Sequence, residues 1–330
     1  MEHPVFYLET GSQNPYYNLA FEEYVLTYRT EGEYLILWQN DNTIVIGQNQ
    51  NAEEEINREF VEAHHIRVVR RSTGGGAVYH DLGNLNYSFI TDAGTNKLAL
   101  KRFTDPVVEA LRGLGLNAEA SGRNDILVEG RKVSGTAQRL FRSRILHHGT
   151  LLFDSDLDLV AGALQADPSK FQSKSSKSVR SRVGNIRDFL PVNMELSEFW
   201  EYLKRFLTGS GIVCGALTAE ERAGVDRLKA AKYDTWEWNF GRSPQYNVTN
   251  TQRYKAGSLK FKAAVESGVI REIAFYGDFL ATRPMAPLTK ALIGCAFRRE
   301  EVAAVLNRFD LSSLFGDITK DEILDVLFYI

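Results

Sequence analysis

An alternation of two periods constrains the fold most. Short, nearly continuous apolar runs of β type are separated by stretches whose apolar residues recur every three or four positions. "YLILW" (Tyr34–Trp38) and "TIVIG" (Thr43–Gly47) have the length and composition of buried strands, joined by the polar turn "QNDN". "RVVR", "NLNYSFI" and "RILHHGTLLF" are further strands, and "NDILVEGRKVSGTAQ" predicts a hairpin turning at Glu129–Gly130. "NLAFEEYVLTYR" is helical in period, with Leu19, Phe21, Tyr24, Val25 and Tyr28 assigned to one side. "EEEINREFVEAHHI" and "DPVVEALRGLG" read as amphipathic helices, the second closed by Gly113 or Gly115. This alternation predicts an α/β (α+β) domain around a mixed sheet.

Further along, "MELSEFWEYLKRFL" and "TAEERAGVDRLKAAKY" are helices, followed by "TWEWNFG". A break at "GRSPQYN" precedes an antiparallel meander with Ser267–Gly268 as a tight turn, and three short helices close the chain. We place a boundary near residue 245, dividing the 330 residues into a larger domain, 1–245, and a small α+β domain, 246–330. Between Pro168 and Arg187 lie six basic residues, no acidic one and a run of serines. So polar a segment predicts a mobile loop.

Net charge is −3, from 39 basic and 42 acidic residues, a balance that argues against nucleic acid as partner. The two cysteines, Cys214 and Cys295, have no metal-like or C-x-x-C spacing, so a disulfide framework is not expected and a reducing cytoplasm fits. The N-terminus carries no signal-peptide pattern and no apolar run is long enough to span a bilayer, so no membrane association is expected.

Three adjacent glycines in "RRSTGGGAVYHDLGN" (Arg70–Asn84) are costly in backbone entropy, so something must approach the main chain there. No G-x-x-x-x-G-K-[ST] occurs in the chain, and Gly74-x-Gly76 is followed by Tyr79 where a dinucleotide fold needs glycine or alanine. What remains is either a tight turn with solvated arginines or an anion-binding concavity of main-chain N–H groups beside the fixed charges of Arg70 and Arg71. The flanking residues favour the concavity. Lys132 sits among small residues on a hairpin strand, where it either faces solvent or reaches inward. His147 and His148 fall on opposite faces of one strand, so one of them should face the interior.

Taken together, "NPYYNLAFEEYVL", "RRSTGGGAVYHDLGNLNYSF", "SGRNDILVEGRKVSGTAQ", "HHGTLLF", "SVRSRVGN" and "WEWNFG" resemble lipoate–protein ligase A, of the biotin/lipoate protein ligase family. They occur in that family's order over most of residues 14–241. The resemblance implies a catalytic domain with a mixed sheet and a C-terminal accessory domain. It also implies two half-reactions. Lipoate and ATP with Mg²⁺ give lipoyl-AMP and pyrophosphate, and the lipoyl group then passes to a lysine of an acceptor. The acceptors implied are the lipoyl domains of 2-oxoacid dehydrogenase E2 subunits or the glycine-cleavage H protein.

Residue by residue, the resemblance makes Lys132 the catalytic lysine, touching both the lipoate carboxylate and the α-phosphate. Arg71 and the backbone of Gly76, Ala77, Val78 and Tyr79 match positions that hold ATP and the adenylate, with Asn84 at the adenine. Leu19, Trp38 and His148 match the lipoate slot, and Arg70, Ser72, Gly74 and Gly75 line the loop at its carboxyl end. The basic segment corresponds to an adenylate-binding loop, with Arg180 and Arg182 as contacts. Asp125 is available as a Mg²⁺ ligand or as the acceptor of an Asx turn. His80–Asp81 is read as no more than a brace for the loop.

Four rival readings compete with this resemblance. An octanoyl transferase working through a thioester is disfavoured because no cysteine precedes Cys214. A biotin ligase lacks its "GRGRRG"-type loop here. A lipoyl-binding homologue without the activation step is disfavoured by the intact Arg71, Lys132 and basic segment. A zinc hydrolase built on His80, Asp81, His147 and His148 lacks any ligand spacing that fits.

Overall fold

The computed structural model describes residues 5–50, 52–56, 58–94, 100–122, 124–164, 182–209, 212–240, 248–266 and 268–328. The larger unit is organised by an eight-stranded mixed sheet. Its strands are β1 (Val5–Glu9), β2 (Glu33–Trp38), β6 (Asn84–Asp92), β7 (Ala118–Ser121), β8 (Asp125–Val128), β9 (Arg131–Phe141), β10 (Arg144–Leu152) and β11 (Val213–Cys214). They run in the order β11-β1-β2-β6-β10-β9-β8-β7, parallel from β11 to β2 and antiparallel from β2 onwards. A second, three-stranded sheet has β3 (Thr43–Ile46) between β4 (Arg67–Arg70) and β5 (Val78–His80). The apolar runs thus form the mixed sheet expected, with one difference. The "QNDN" turn does not fold β2 and β3 into a hairpin but sends them into different sheets.

Both faces of the large sheet are covered. One packs against the helices Leu100–Gly113 and Leu196–Thr208 through Tyr7, Leu35, Tyr87, Val107, Leu111, Phe199 and Leu203. The other packs against helix α1 (Pro15–Tyr28), the Ala219–Tyr233 region and the inner face of the small sheet, through Leu19, Val25, Ile36, Trp38, Val45 and Val69. This double cover explains why His147 and His148, on opposite faces of β10, are both buried, where one inward histidine was expected. It also explains α1, which buries Asn18, Glu22 and Glu23 as well as its apolar residues and leaves Tyr28 67% exposed. A single apolar side does not describe it.

Other local differences have simple causes. "EEEINREFVEAHHI" breaks into Ala52–Glu55 and Arg58–Ala63, with an isolated bridge from Ile56 to Leu164 at the break. The helix expected from Asp105 starts at Leu100, one turn earlier, and so carries Pro106 inside it, at the loss of one main-chain hydrogen bond. Gly115, at φ +83°, closes it. The hairpin turn at Glu129–Gly130 is as read, with both residues at positive φ (49° and 74°).

The C-terminal unit is the meander β12 (Val248–Tyr254), β13 (Gly257–Glu266) and β14 (Val269–Gly277), covered by helices over an apolar core of Leu259, Phe261, Phe279, Phe315 and Leu327. Its helices are Ala286–Leu292, Arg299–Leu306, Leu311–Phe315 and Lys320–Phe328, one more than expected, because the five-residue Leu311–Phe315 is too short to show a period. The boundary at residue 245 falls in 241–247, outside the described residues. The two units meet through backbone. Leu140 N donates to Thr282 O (2.7 Å), Gly277 N to Asn49 O (2.8 Å), and Gly75 N to Phe279 O (3.1 Å). No helix among the described residues is long and apolar enough to cross a membrane.

Candidate active site

Between the two sheets of the larger unit, under the glycine stretch, lies an open slot. One end is apolar, lined by Leu19, Trp38, Val45, Ala137 and His148. The other is polar and glycine-rich, lined by Arg71, Gly75, Gly76, Lys132, Asn86 and Asn124, with Ala77 and Val78 alongside.

Lys132 reaches the slot through the geometry of its hairpin. A bulge between Ile126 and Leu127 sets Lys132 opposite Leu127 and Gly135 opposite Asp125. The lysine side chain therefore runs diagonally over Gly135, which has no side chain to obstruct it. A Cβ at Gly135 would lie 3.3 Å from Lys132 Nζ. The ammonium ends 2.7 Å from Asp125 Oδ1, with both side chains about one-third exposed (38% and 34%). Of the two readings of Lys132, the inward one holds. Its backbone is bridged to the end of the basic segment, with Lys132 N donating to Arg182 O (2.7 Å) and Gly184 N to Lys132 O (3.0 Å). Arg182 is exposed beside it, while Arg180 lies outside the described residues.

The glycines serve a different neighbour from the one expected. Gly74 N donates to Ala281 O (3.3 Å) and Gly75 N to Phe279 O (3.1 Å), so these two N–H groups meet the C-terminal unit. A Cβ at Gly74 would lie 2.5 Å from Ala281 N, and one at Gly47 2.0 Å from Gly75 O. The main chain is approached here by other main chain. Of the three adjacent glycines, Gly76 has the most open surroundings, with nothing nearer a built Cβ than Asp278 Cβ at 3.9 Å.

The two arginines also separate. Arg71 is buried in the slot wall, its Nη2 donating to Gly74 O (2.7 Å) and Gly76 O (2.8 Å) and its Nη1 to Val45 O (3.1 Å). Arg70 points away from the slot. It donates to the carbonyls of Gly47 (2.9 Å), Gln50 (2.6 Å), Trp238 (2.9 Å) and Asn239 (3.0 Å), which corrects its expected place at the lipoate carboxyl end. Burial pushes both guanidinium groups down to about 10, which leaves them charged at neutral pH. Ser72 and Gly74 do not line the slot, nor does Tyr79, whose hydroxyl donates to Asn42 Oδ1 (3.0 Å). Asn84 lies one step behind, donating to Asn86 Oδ1 (3.0 Å), and it is Asn86 that faces the space. The buried Asn86 Nδ2 and Asn84 Oδ1 make no hydrogen bond in the described structure, leaving a donor and an acceptor to be satisfied there.

A buried polar chain links the apolar end to Arg71. Trp38 Nε1 donates to Ser88 Oγ (2.9 Å), which donates to Glu22 Oε1 (2.6 Å). His148 Nδ1 lies 2.8 Å from the same oxygen and its Nε2 2.8 Å from Thr73 Oγ1, which accepts from Arg71 Nε (3.0 Å). Thr73 has one hydroxyl proton to give, and His148 Nε2 is its acceptor. For the neutral imidazole this assigns the ring proton to Nδ1, donated to Glu22. Every donor in the chain runs towards the Glu22 carboxylate. Glu22, Ser88 and Thr73 were not singled out from the sequence; two adjacent acids inside an otherwise apolar helix were the available signal, since buried carboxylates require partners. Its neighbour Glu23 pairs instead with Arg139 (2.9 Å) and Lys232 (2.7 Å), which outweigh its burial and hold it at about 2.

His80 also lines the slot, more than the brace it was read as. Burial, with the charge of Arg71 nearby, pushes it down to about 3. His147 lies on the opposite sheet face, against Gln138 and Phe103, so it joins neither His148 nor His80. No group of three or more His, Cys, Asp or Glu among the described residues could hold a metal ion. Asp125, offered above as a Mg²⁺ ligand, has the Lys132 ammonium as its partner.

Such a slot, apolar at one end and cationic at the other, between the sheets of an α+β domain, defines a protein that handles an amphipathic carboxylate beside a phosphate. The comparisons with known proteins agree. The family model "Lipoyl protein ligase A/B catalytic domain" matches residues 14–208, and "Bacterial lipoate protein ligase C-terminus" matches 243–327. The lipoate-protein ligase LplJ of Bacillus subtilis is 43% identical over 321 residues, covering 96% of this chain and 97% of that protein. The P. falciparum protein LipL1, solved with lipoate, shares the fold at TM-score 0.79 and 22% identity, over 97% of each chain. A lipoate-protein ligase A bound with ATP is 30% identical, with TM-score 0.63 over 73% of this chain and 99% of that one. A bi-partite lipoate protein ligase of Thermoplasma acidophilum, from a structural analysis of that ligase and its E2 lipoyl domain, is 32% identical, with TM-score 0.65 over 75% of this chain and 100% of that one. This chain belongs to the lipoate–protein ligase family.

Proposed function

We propose that the chain is an ATP-dependent lipoate–protein ligase that forms lipoyl-AMP and pyrophosphate, then lipoylates a lysine of an acceptor protein. The observation that carries the reading is the slot itself, with apolar walls at Leu19, Trp38 and Val45 and the Lys132 ammonium at its polar rim. The lipoate tail and dithiolane are held in the apolar end, where burial contributes about 25 cal/mol per Å². The carboxylate then meets Lys132. A carboxylate attacking a polyanion must overcome like-charge repulsion, and a compact ammonium bridging both offsets it.

Arg71 acts through the loop. By gathering the carbonyls of Gly74 and Gly76 it fixes the Gly76–Val78 backbone beside the α-phosphate, and its charge adds to the field there. Asn86, backed by Asn84, supplies the unpartnered polar atoms for the nucleotide. Arg182 stands next to Lys132 to screen the adenylate. Mg²⁺ would enter with ATP and offset its phosphate charge, since no group of three or more His, Cys, Asp or Glu among the described residues could hold the ion. The acceptors are lipoyl domains of 2-oxoacid dehydrogenase E2 subunits or the glycine-cleavage H protein. The archaeal relative, described as a ligase with its own E2 lipoyl domain, supports the first.

The test is lipoate-dependent exchange of pyrophosphate into ATP, followed by transfer to an apo lipoyl domain. Exchange with lipoate and not with biotin, and a lipoylated domain, are the results expected. Acyl transfer from supplied lipoyl-AMP without any exchange would make the chain a transferase and overturn the activation step.

A further inference from the structure

The established family activity leaves one question at the rim: what meets the acceptor lysine. We propose that Asp125 is the acceptor anchor. When Lys132 turns to the acyl phosphate, the freed Asp125 carboxylate takes up the ε-ammonium of the acceptor and holds its nitrogen near the acyl carbon. This rests on the role proposed above for Lys132.

Three observations carry it. First, Asp125 Oδ1 is 2.7 Å from Lys132 Nζ, so a cation held by Asp125 sits within one ammonium's width of the group that holds the adenylate. Second, the pair is exchangeable. Both side chains are about one-third exposed, and an ion pair in that setting is weak, so one ammonium replaces another at little cost. Third, the neighbouring carboxylates are committed. Glu22 is 2% exposed and accepts from Ser88 and His148. Asp278, beside Gly76, accepts from Ser258 N (2.6 Å) and faces Arg253. No Asp or Glu among the described residues lines the slot itself.

The chemistry is consistent with a resting pair that trades partners. Lipoate and ATP bring two sets of anionic oxygens to Lys132 and draw its ammonium away from Asp125. A carboxylate left without its cation beside an acyl-adenylate attracts the next ammonium to arrive, and the second substrate is a lysine. The acceptor nitrogen loses one proton to solvent, its lone pair forms the C–N bond, and the bond from the acyl carbon to the phosphate oxygen breaks. AMP leaves with that electron pair, and the second proton leaves the nitrogen to solvent as the amide forms. Asp125 orients and attracts; it is a positioning residue for the acceptor.

The full chain carrying Asp125→Asn or Asp125→Glu tests this in two assays: lipoate-dependent pyrophosphate exchange, and single-turnover transfer from supplied lipoyl-AMP to an apo lipoyl domain. For Asp125→Asn, transfer is expected to fall about 30-fold, mainly through a higher acceptor KM, and exchange by far less. Asp125→Glu should recover part of the transfer, which a purely structural residue would not. Unchanged transfer by a folded Asp125→Asn chain overturns the proposal. So does an equal loss of exchange, or a loss restored by raising Mg²⁺, because the carboxylate would then serve activation. A wild-type chain that neither exchanges nor transfers overturns the ligase reading first, and this inference with it.

Discussion

The interior and the rim of the slot are built on opposite principles. Inside, Trp38, Ser88, Glu22, His148, Thr73 and Arg71 form one buried hydrogen-bonded chain. At the rim, Lys132 and Asp125 share a single ion pair, each side chain about one-third exposed, across a side-chain-free glycine. A saturated buried network has one arrangement, and any missing member leaves a desolvated polar group. A lone exposed pair can let go. The interior therefore sets shape and the rim is free to change partners, which divides binding from chemistry within one cavity.

The largest expected effect breaks the rim. Lys132→Ala should lower pyrophosphate exchange by about 10³-fold or more, as removal of a group stabilising developing charge does. Its melting temperature should barely move, because an exposed pair contributes little to stability. Near-normal exchange by that variant would remove Lys132 from the chemistry. The interior should respond in the reverse sense. Glu22→Ala strands His148, Ser88 and the Arg71 charge, and should cost about 3 kcal/mol of stability, read as a drop of several degrees in Tm. A Tm within a degree of wild type would show that the chain is not the framework described.

Acid sharpens the contrast. Burial pushes His80 and His147 down to about 3, against an ordinary value near 6.5, so both are neutral when folded and protonate when unfolded. Their contribution is thus fully present above about pH 6.5 and is lost as pH falls towards 3, by up to about 1.4 kcal/mol per pH unit for each. Glu23, held at about 2 by Arg139 and Lys232, adds a loss in the same direction below about pH 4.5. Chemical denaturation at stepped pH should show stability falling through this range, with a shallower slope in His147→Asn. A slope unchanged by that substitution would contradict the neutral buried histidine. The smallest effect returns to the rim. Gly135→Ala puts a Cβ 3.3 Å from Lys132 Nζ, and by displacing the ammonium should lower exchange roughly tenfold with little change in Tm. An unaffected rate would mean that the lysine finds another path to the slot.

Much of this was legible in the residues. The strands β2, β6, β8, β9 and β10 of the large sheet, the Glu129–Gly130 turn and the C-terminal meander follow from period and turn chemistry, which are local properties, whereas the short β1, β7 and β11 were not read from the sequence. Lys132, Arg71, Trp38, Leu19 and His148 do converge on one cavity. What local pattern misread was direction. Arg70 and Arg71 are adjacent, and nothing in "RRSTGGG" says that one faces the slot while the other holds carbonyls at Gly47, Gln50 and Trp238. The same holds for the glycines, whose tight neighbour at Gly74 is the backbone of Ala281, some two hundred positions away.

The sequence by itself determined most of the elements, the class of fold and the stretches that carry the chemistry, because helix and strand periods, caps and turns are written within a few residues. Tertiary structure alone decided which side of each element meets which partner. It buried both histidines of β10 by covering both faces of the sheet. It turned Glu22 from one more position of a helix into the acceptor of a buried chain, and placed Asp125 against Lys132 through a bulge and an absent side chain. Hydrogen bonds and charges are satisfied by whatever the fold brings within about 3 Å, and that distance has no counterpart in sequence separation.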